Sequence, residues 1–458
     1  MPKKIRDGLF ILFIVLFVFL TIITSLYASG YKFNLSWPIK FNRLLQKTGM
    51  LAVATKPNRA VIYLDGKPQQ DLSFNPWKKD YLTTPNKVKN ILPDRYEISL
   101  ELEGYWPYRQ TIDIRSGETT FVEDVILFKE SSALLVVSSP ETNLLISPDF
   151  RYLYTQATEE IINLKTEERR NLVNKNDTGK NDILIKTANT DIFAPGQWLK
   201  NNRFFKDGII FDPLKDNNDN NYASIIGPEA SGWNYEESGG LIYYQNTSGL
   251  SRLSTANQAI DLIMKGDEYL SYQPGDKKIL VISKAPGSKL KAFSLDSRQI
   301  EAEWTLPNNG QYVFAKNIPG HPAIYDFQNK ALYIFSEDNI SGGPMVINNI
   351  SRWEYLNEDQ LLYSANSEIQ IFDLNNGRSE LITRRSEEIV DLIWNGSGNY
   401  LIFTTPETIN IFDFKNRHTT SLLSATRLAS PVLDEKNNNL YFWASIDGQE
   451  GIYKINLR

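Results

Sequence analysis

Three hydrophobic patterns follow one another along the chain. Leu9 to Ala28 is an unbroken run of twenty residues with no charge, Asn, Gln, Gly or Pro. At 1.5 Å rise per residue such a helix measures about 30 Å, the thickness of a hydrocarbon core. Phe, Leu, Ile and Val cover every face of it, so it keeps no polar stripe for water and a membrane span is predicted. From residue 49 the pattern shortens to period two: in Tyr96-Glu97-Ile98-Ser99-Leu100-Glu101-Leu102, Tyr96, Ile98, Leu100 and Leu102 share one face and Glu97, Ser99 and Glu101 the other. From about residue 131 short apolar strands separated by polar turns recur with a period near 41. The whole predicts an all-β protein behind one N-terminal transmembrane helix.

The run at the N-terminus has two readings, a retained anchor and a cleaved signal peptide, since a basic start before an apolar stretch fits both. Cleavage after Ala28 or Ser29 would put Leu26 or Tyr27 where a small residue is required, and the run exceeds the usual signal-peptide length. The anchor is therefore the expectation for residues 1–30. Lys3, Lys4, Arg6 and the amino terminus against Asp7 favour a cytoplasmic N-terminus and an extracytoplasmic bulk. Residues 31–48, SWPIKFNRLLQKTG included, read as a juxtamembrane linker or a short amphipathic turn through Leu44 and Leu45.

Residues 49–129 contain six or seven strand candidates with turn signals between them, Asp65-Gly66 being a hairpin signal and Arg115-Ser116-Gly117-Glu118 another. That is enough for a small β-sandwich and too little for an internal active site. The ordered set Lys56 to Gly66, Thr84-Pro85, Leu92-Pro93-Asp94-Arg95-Tyr96 and Glu103-Gly104-Tyr105 resembles the PEGA domain. The resemblance implies a small β-sandwich of extracytoplasmic bacterial and archaeal proteins, often placed just beyond a membrane span. Arg59 and Asp94 stand where that family has glycine. A polar and aromatic excursion between Gly66 and Thr84 is longer than the family's usual link. Its Phe74, Trp77, Lys78, Lys79 and Tyr81 form a candidate binding loop, the other reading being that the aromatics fold back to cap the sandwich.

Residues 131–458 repeat. Ile369 to Arg378 and Ile409 to Arg417 are the clearest copies, and third-strand positions fall near Leu164, Phe211, Leu253, Leu295, Ile334, Leu374, Phe414 and Leu457. Strand repeats of this period read as β-propeller blades, eight of them, or seven if the irregular unit at 204–226 is an insertion in a neighbour. The last unit offers three strands, and the surplus strand Ala133 to Val137 supplies what it lacks, so strand closure by residues 133–137 is expected. A stacked solenoid, the other arrangement, leaves its terminal edges uncapped. Ser147-Pro148-Asp149-Phe150 and Phe372-Asp373-Leu374-Asn375-Asn376-Gly377 resemble the WD-like repeats of Tol-type propellers, with Phe150 in place of Gly. In that family such rings usually serve as protein-interaction platforms.

Composition narrows the chemistry. The 458 residues include no cysteine and two histidines, His321 and His418, which excludes thiol catalysis, disulfides and multi-histidine metal centres. A formal charge of -5 without a basic tract argues against nucleic acid. Ser-Gly pairs at 231–232, 238–239 and 341–342 belong to turns, and no cofactor motif is present. Asp216, Asn218 and Asn220 have the spacing of a calcium-loop opening, but Asn221 replaces its glycine and Gly227 its closing Glu, so a solvated turn is the plainer reading and no metal is assigned. Two functions remain. One is a non-catalytic, single-pass envelope protein that binds another protein or a cell-wall or surface polymer. The other is a propeller hydrolase or lyase acting on glycans through acids such as Glu159-Glu160, Glu236-Glu237 or Glu387-Glu388.

Overall fold

The computed structural model describes residues 3–33, 45–70, 81–172, 196–215, 220–266, 269–283, 287–315, 318, 320–336, 339–397 and 399–458. The chain forms two compact units: Met1–Ser131 with Phe412–Leu422 and Leu457–Arg458, and Ser132–Ile411 with Leu423–Asn456.

The first unit begins with helix α1, Lys3–Ala28. Its segment Ile5–Ala28 is long and apolar enough to cross a membrane, and none of it is buried within the protein. The helix ends at Gly30, whose φ of +83° takes the left-handed conformation open to glycine without a side-chain penalty. The segment read as a linker is not featureless: β1 (Tyr31–Phe33) pairs antiparallel with β2 (Leu45–Lys47), Tyr31 opposite Lys47. Leu45 thus belongs to a strand and not to an amphipathic turn, while Leu44 lies outside the described residues.

Among the described residues seven strands follow: β3 (Gly49–Lys56), β4 (Val61–Leu64), β5 (Lys67–Pro68), β6 (Asn86–Ile91), β7 (Asp94–Glu101), β8 (Tyr108–Ile114) and β9 (Thr119–Ile126). They make a three-stranded sheet β6-β3-β9, with β3 and β9 parallel, and a four-stranded sheet β5-β4-β7-β8. Alternation supplies the apolar faces. Ile98 and Leu100 of β7, Ile62 and Leu64 of β4, Leu51 and Val53 of β3 and Val122 and Val125 of β9 share one core, with Tyr96 and Leu102 at its margin. Ser99, on the opposite face of β7, is buried too and donates to Glu101. Asp65 and Gly66 both take positive φ, as the tight hairpin β4–β5 requires. Arg59, at the glycine position, also sits at φ +76°, its N–H bonded to Thr84 O at 2.8 Å.

From residue 134 onward the strands among the described residues assemble into eight four-stranded sheets. Seven are formed by consecutive strands within 144–171, 197–221, 231–265, 269–305, 312–347, 352–384 and 391–424. The irregular unit is therefore a sheet of its own, built from strands of two or three residues with the short helix Ala223–Ile226 after them. In the eighth sheet β10 (Leu134–Ser138) lies beside Gln449–Asn456, followed by Asn439–Ile446 and Arg427–Asp434. Its register sets Leu135 opposite Tyr453 and Val137 opposite Ile452. Every third-strand position read from the repeat lies in, or one residue beyond, the third strand of its sheet.

Neighbouring sheets share their cores. Tyr154 and Ile161 pack with Phe204 and Phe211, Ile210 with Ile242 and Leu253, Tyr243 with Tyr272, Leu290 with Ile324, and Leu332 with Leu361 and Phe372. Val137 and Ile452 of the eighth sheet meet Leu144, Leu153 and Ile162 of the first, and Leu144 N donates to Ser430 Oγ at 2.9 Å.

Four strand ends share one turn. In Asp326-Phe-Gln-Asn329, Asp373-Leu-Asn-Asn376, Asp413-Phe-Lys-Asn416 and Asp434-Glu-Lys-Asn437 the Asp Oδ1 accepts the backbone N–H of the Asn, and the Asn Nδ2 donates back to Oδ2 at 2.7 to 2.9 Å. The next residue, Lys330, Gly377, Arg417 or Asn438, has positive φ. This is a turn in which Asp supplies backbone acceptors and a left-handed fifth residue turns the chain into the next strand.

Candidate binding surfaces

The aromatic excursion leaves and rejoins the sandwich at one point. Gln70 and Tyr81 form an antiparallel bridge, Leu82 N donates to Gln69 O at 2.8 Å, and Ile62 N donates to Leu82 O at 3.0 Å. Alternation then turns Leu82 toward the core and leaves Tyr81 46% exposed. Phe74, Trp77, Lys78 and Lys79 lie outside the described residues, so Tyr81 is the member of the candidate loop that the structure places, at its base and facing solvent. Of the calcium-loop candidates, Asp216 and Asn218 also lie outside them. Asn220 is exposed and pairs with Ile210 as a short strand. Among the described residues no three His, Cys, Asp or Glu converge as a metal site.

Four of the six acids offered for glycan chemistry are tied to local structure. Glu159 binds Lys206 at 3.1 Å, Glu236 accepts Gly239 N–H and the Ser238 hydroxyl, Glu237 accepts Lys200 N–H through both oxygens, and Glu388 lies 3.8 Å from Lys330. Asp124, Glu301 and Glu303 are held below the usual carboxylate range, each first by a hydrogen bond from lysine: Lys415, Lys278 and Lys289. That shift is opposite to the one a general acid needs. His321 stands in a loop, its N–H on Ile318 O, and its buried Nδ1 meets no protein partner among the described residues.

Two constellations escape sequence reasoning. Within the first unit, the His418 ring packs 4.6 Å from Tyr108, whose hydroxyl bonds Gln110, while Gln110 Nε2 donates to Asn416 O at 3.2 Å. Desolvation lowers the His418 pKa against the opposing pull of Asp413, and burial, then Asp413, pushes the Tyr108 phenol up. The two groups are remote in sequence, so no spacing signals them. In the second unit, Arg352 Nε binds Asp391 Oδ1 at 2.7 Å, both side chains largely buried, on the first strands of neighbouring sheets. Their cross-strand neighbours are Ser364 and Thr404, buried hydroxyls without a protein partner among the described residues. Trp353 and Trp394, in the same strands, were the available signal for that interface. In the first the Tyr108 hydroxyl is engaged by Gln110, and the second is a buried ion pair, which costs desolvation.

Residues 78–126 match the PEGA domain family. The match takes in Thr84-Pro85, Leu92 to Tyr96 and Glu103 to Tyr105, and begins beyond Lys56 to Gly66. No curated protein matches the chain. Among solved structures, the C-terminal WD40 domain of Sif2 is similar at 10% identity and a TM-score of 0.38 over 79% of this chain and 89% of that one. Kluyveromyces lactis Hsv2 gives 10% and 0.34 over 48% and 72%. PorZ, described as a surface component of the type-IX secretion system of Porphyromonas gingivalis, gives 12% and 0.34 over 71% and 38%.

Proposed function

We propose that this chain is a non-catalytic binding or scaffolding protein of a bacterial or archaeal cell envelope, held in the cell membrane by residues 1–30. The N-terminus is cytoplasmic and the bulk extracytoplasmic. Residues 49–129 are a PEGA sandwich, and 131–458 an eight-bladed propeller closed by the strand around 133–137. The packing of the eighth sheet on the first and the pairing of β10 with Gln449–Asn456 support that closure. Loops of both modules present themselves to an envelope protein or to a cell-wall or surface polymer.

The observation that carries this reading is the engagement of one or both members of each candidate acid pair: Glu159, Glu236, Glu237 and Glu388 each serve a turn, a backbone cap or an ion pair. Exposed Tyr81, at the base of an aromatic and basic loop, supplies rigid contact area at low entropy cost. The test has two arms on the full chain in detergent. No turnover is expected on panels of glycans, peptides and esters; turnover abolished by amide replacement of an acid pair, with folding intact, overturns the proposal. Co-sedimentation with isolated cell-wall polymer or capture by purified envelope proteins is expected to weaken about tenfold in Trp77→Ala/Tyr81→Ala. Equal binding by that variant removes the loop from the proposal.

A further inference from the structure

The helix and the sandwich are joined by a hydrogen-bonded seat within the first unit. Gly30 O accepts both the N–H and the hydroxyl of Thr48, each at 2.8 Å. Thr48 O accepts Gly117 N–H at 3.0 Å, and Lys47 O accepts the Ser116 hydroxyl at 3.0 Å. Gly49 approaches the same turn so closely that a Cβ there would lie 2.5 Å from Arg115 O. The turn Arg115 to Glu118 is therefore two hydrogen-bonded steps from the exit of the helix.

Lys32, Lys47 and Arg115 are exposed around this seat; Glu118 lies 3.9 Å from Arg115, and on the strands leading into the turn the exposed Asp113 is paired with Arg95 at 3.5 Å while Asp94 stands opposite Ile114. Tyr27 and Tyr31, 46% and 36% exposed, flank the helix end, and Tyr31 faces Lys47 across the β1–β2 pair. The uncharged run Leu9–Ala28, preceded by Arg6 and Asp7, is about 30 Å long, which matches a hydrocarbon core of about 30 Å. Its last turn thus reaches the headgroup layer, where Tyr is favoured and Lys and Arg meet phosphate.

We propose that this junction is a headgroup site for anionic phospholipids of the leaflet into which α1 opens. Lys32, Lys47 and Arg115 take the phosphates, and Tyr27 and Tyr31 lie in the interfacial layer. The proposal rests on the helix being a retained span. A lipid and not free phosphate is the ligand, because the seat fixes these cations at the end of the apolar helix.

The full chain is reconstituted with phosphatidylcholine and phosphatidylglycerol at about 4:1, re-extracted mildly, and its co-purifying lipids are counted by mass spectrometry. The expected result is phosphatidylglycerol enriched at least about threefold over bulk, falling to the bulk ratio in Lys47→Gln/Arg115→Gln. Lys87→Gln/Lys89→Gln, on exposed positions of β6, keeps the enrichment and serves as the charge-matched control. Unchanged melting shows that the variants are folded. A bulk ratio for the unaltered chain, enrichment surviving in the 47/115 variant, or its loss to inorganic phosphate at constant ionic strength overturns the site. Alkaline washing of the same vesicles separates the premise: release of the chain defeats the anchor, whereas retention without enrichment defeats the lipid site alone.

Discussion

Single residues carry conformations that their type disfavours. Arg59 and Phe150 stand where the resembled families have glycine, and both hold the left-handed backbone that glycine would adopt, at φ +76° and +61°. The sequence departures were legible as departures, but the backbone was not: Arg59 N–H is held by the carbonyl of Thr84, remote in sequence, and Phe150 N–H by the carbonyl of Ser147 within its own turn. Since an L side chain in that region costs about 1 kcal/mol, Arg59→Gly is expected to raise stability by roughly 0.5 to 1 kcal/mol in urea unfolding. His418 behaves differently. Its folded pKa lies below the ordinary value because burial against Tyr108 disfavours the charged ring, with Asp413 opposing. As pH falls below about 6.5 the unfolded chain takes up this proton first, so stability declines until the folded pKa is passed, and above 6.5 the contribution is constant. His418→Gln should flatten that part of the acid limb when urea midpoints are compared at pH 5 and pH 8; an unchanged slope would assign it to other groups.

At the scale of elements, the Asp-x-x-Asn turn explains both what the repeat revealed and what it hid. Gly377 preserves the glycine that marks a turn in sequence, but Lys330, Arg417 and Asn438 take the same left-handed position. Asp and Asn side chains satisfy the backbone there, so the turn survives while its most visible letter drifts. The two-residue strands of the 197–221 sheet were obscured for a related reason: strands this short present no period. Burial sets the cost of removing a turn. Asp326 is fully buried and its Oδ1 also accepts Gln311 N–H, whereas Asp373 is partly exposed. Asp326→Ala should cost about 2 to 3 kcal/mol and Asp373→Ala about 1, read from chemical unfolding. Equal losses would show that burial does not decide the matter.

Over the whole molecule, the strand repeat and its third-strand anchors were readable because apolar strands recur in phase with their turns. The polar groupings were not, because Tyr108 with His418 and Arg352 with Asp391 are assembled by pairing and not by spacing. The eighth sheet joins these lessons, since its fourth member was inferred from a surplus strand and stands beside Gln449–Asn456. Deleting residues 131–139 removes ladder bonds together with the buried Val137, and also the Ser139 carbonyl that accepts Trp443 Nε1–H. The melting temperature of the full chain should fall by roughly 5 to 10 °C, against little change for trimming an exposed loop.

That same sheet imposes an order in time. β10 is synthesised about 300 residues before the strand it pairs with, and during that interval its edge has no native partner. Leu134 and Leu135, exposed even in the finished fold, are then bare on a growing chain. The strand that completes the last sheet is thus, among the described strands, the one that waits longest for its partner, and a ribosome stalled before Gln449 leaves a product whose sticky edge announces that translation did not finish.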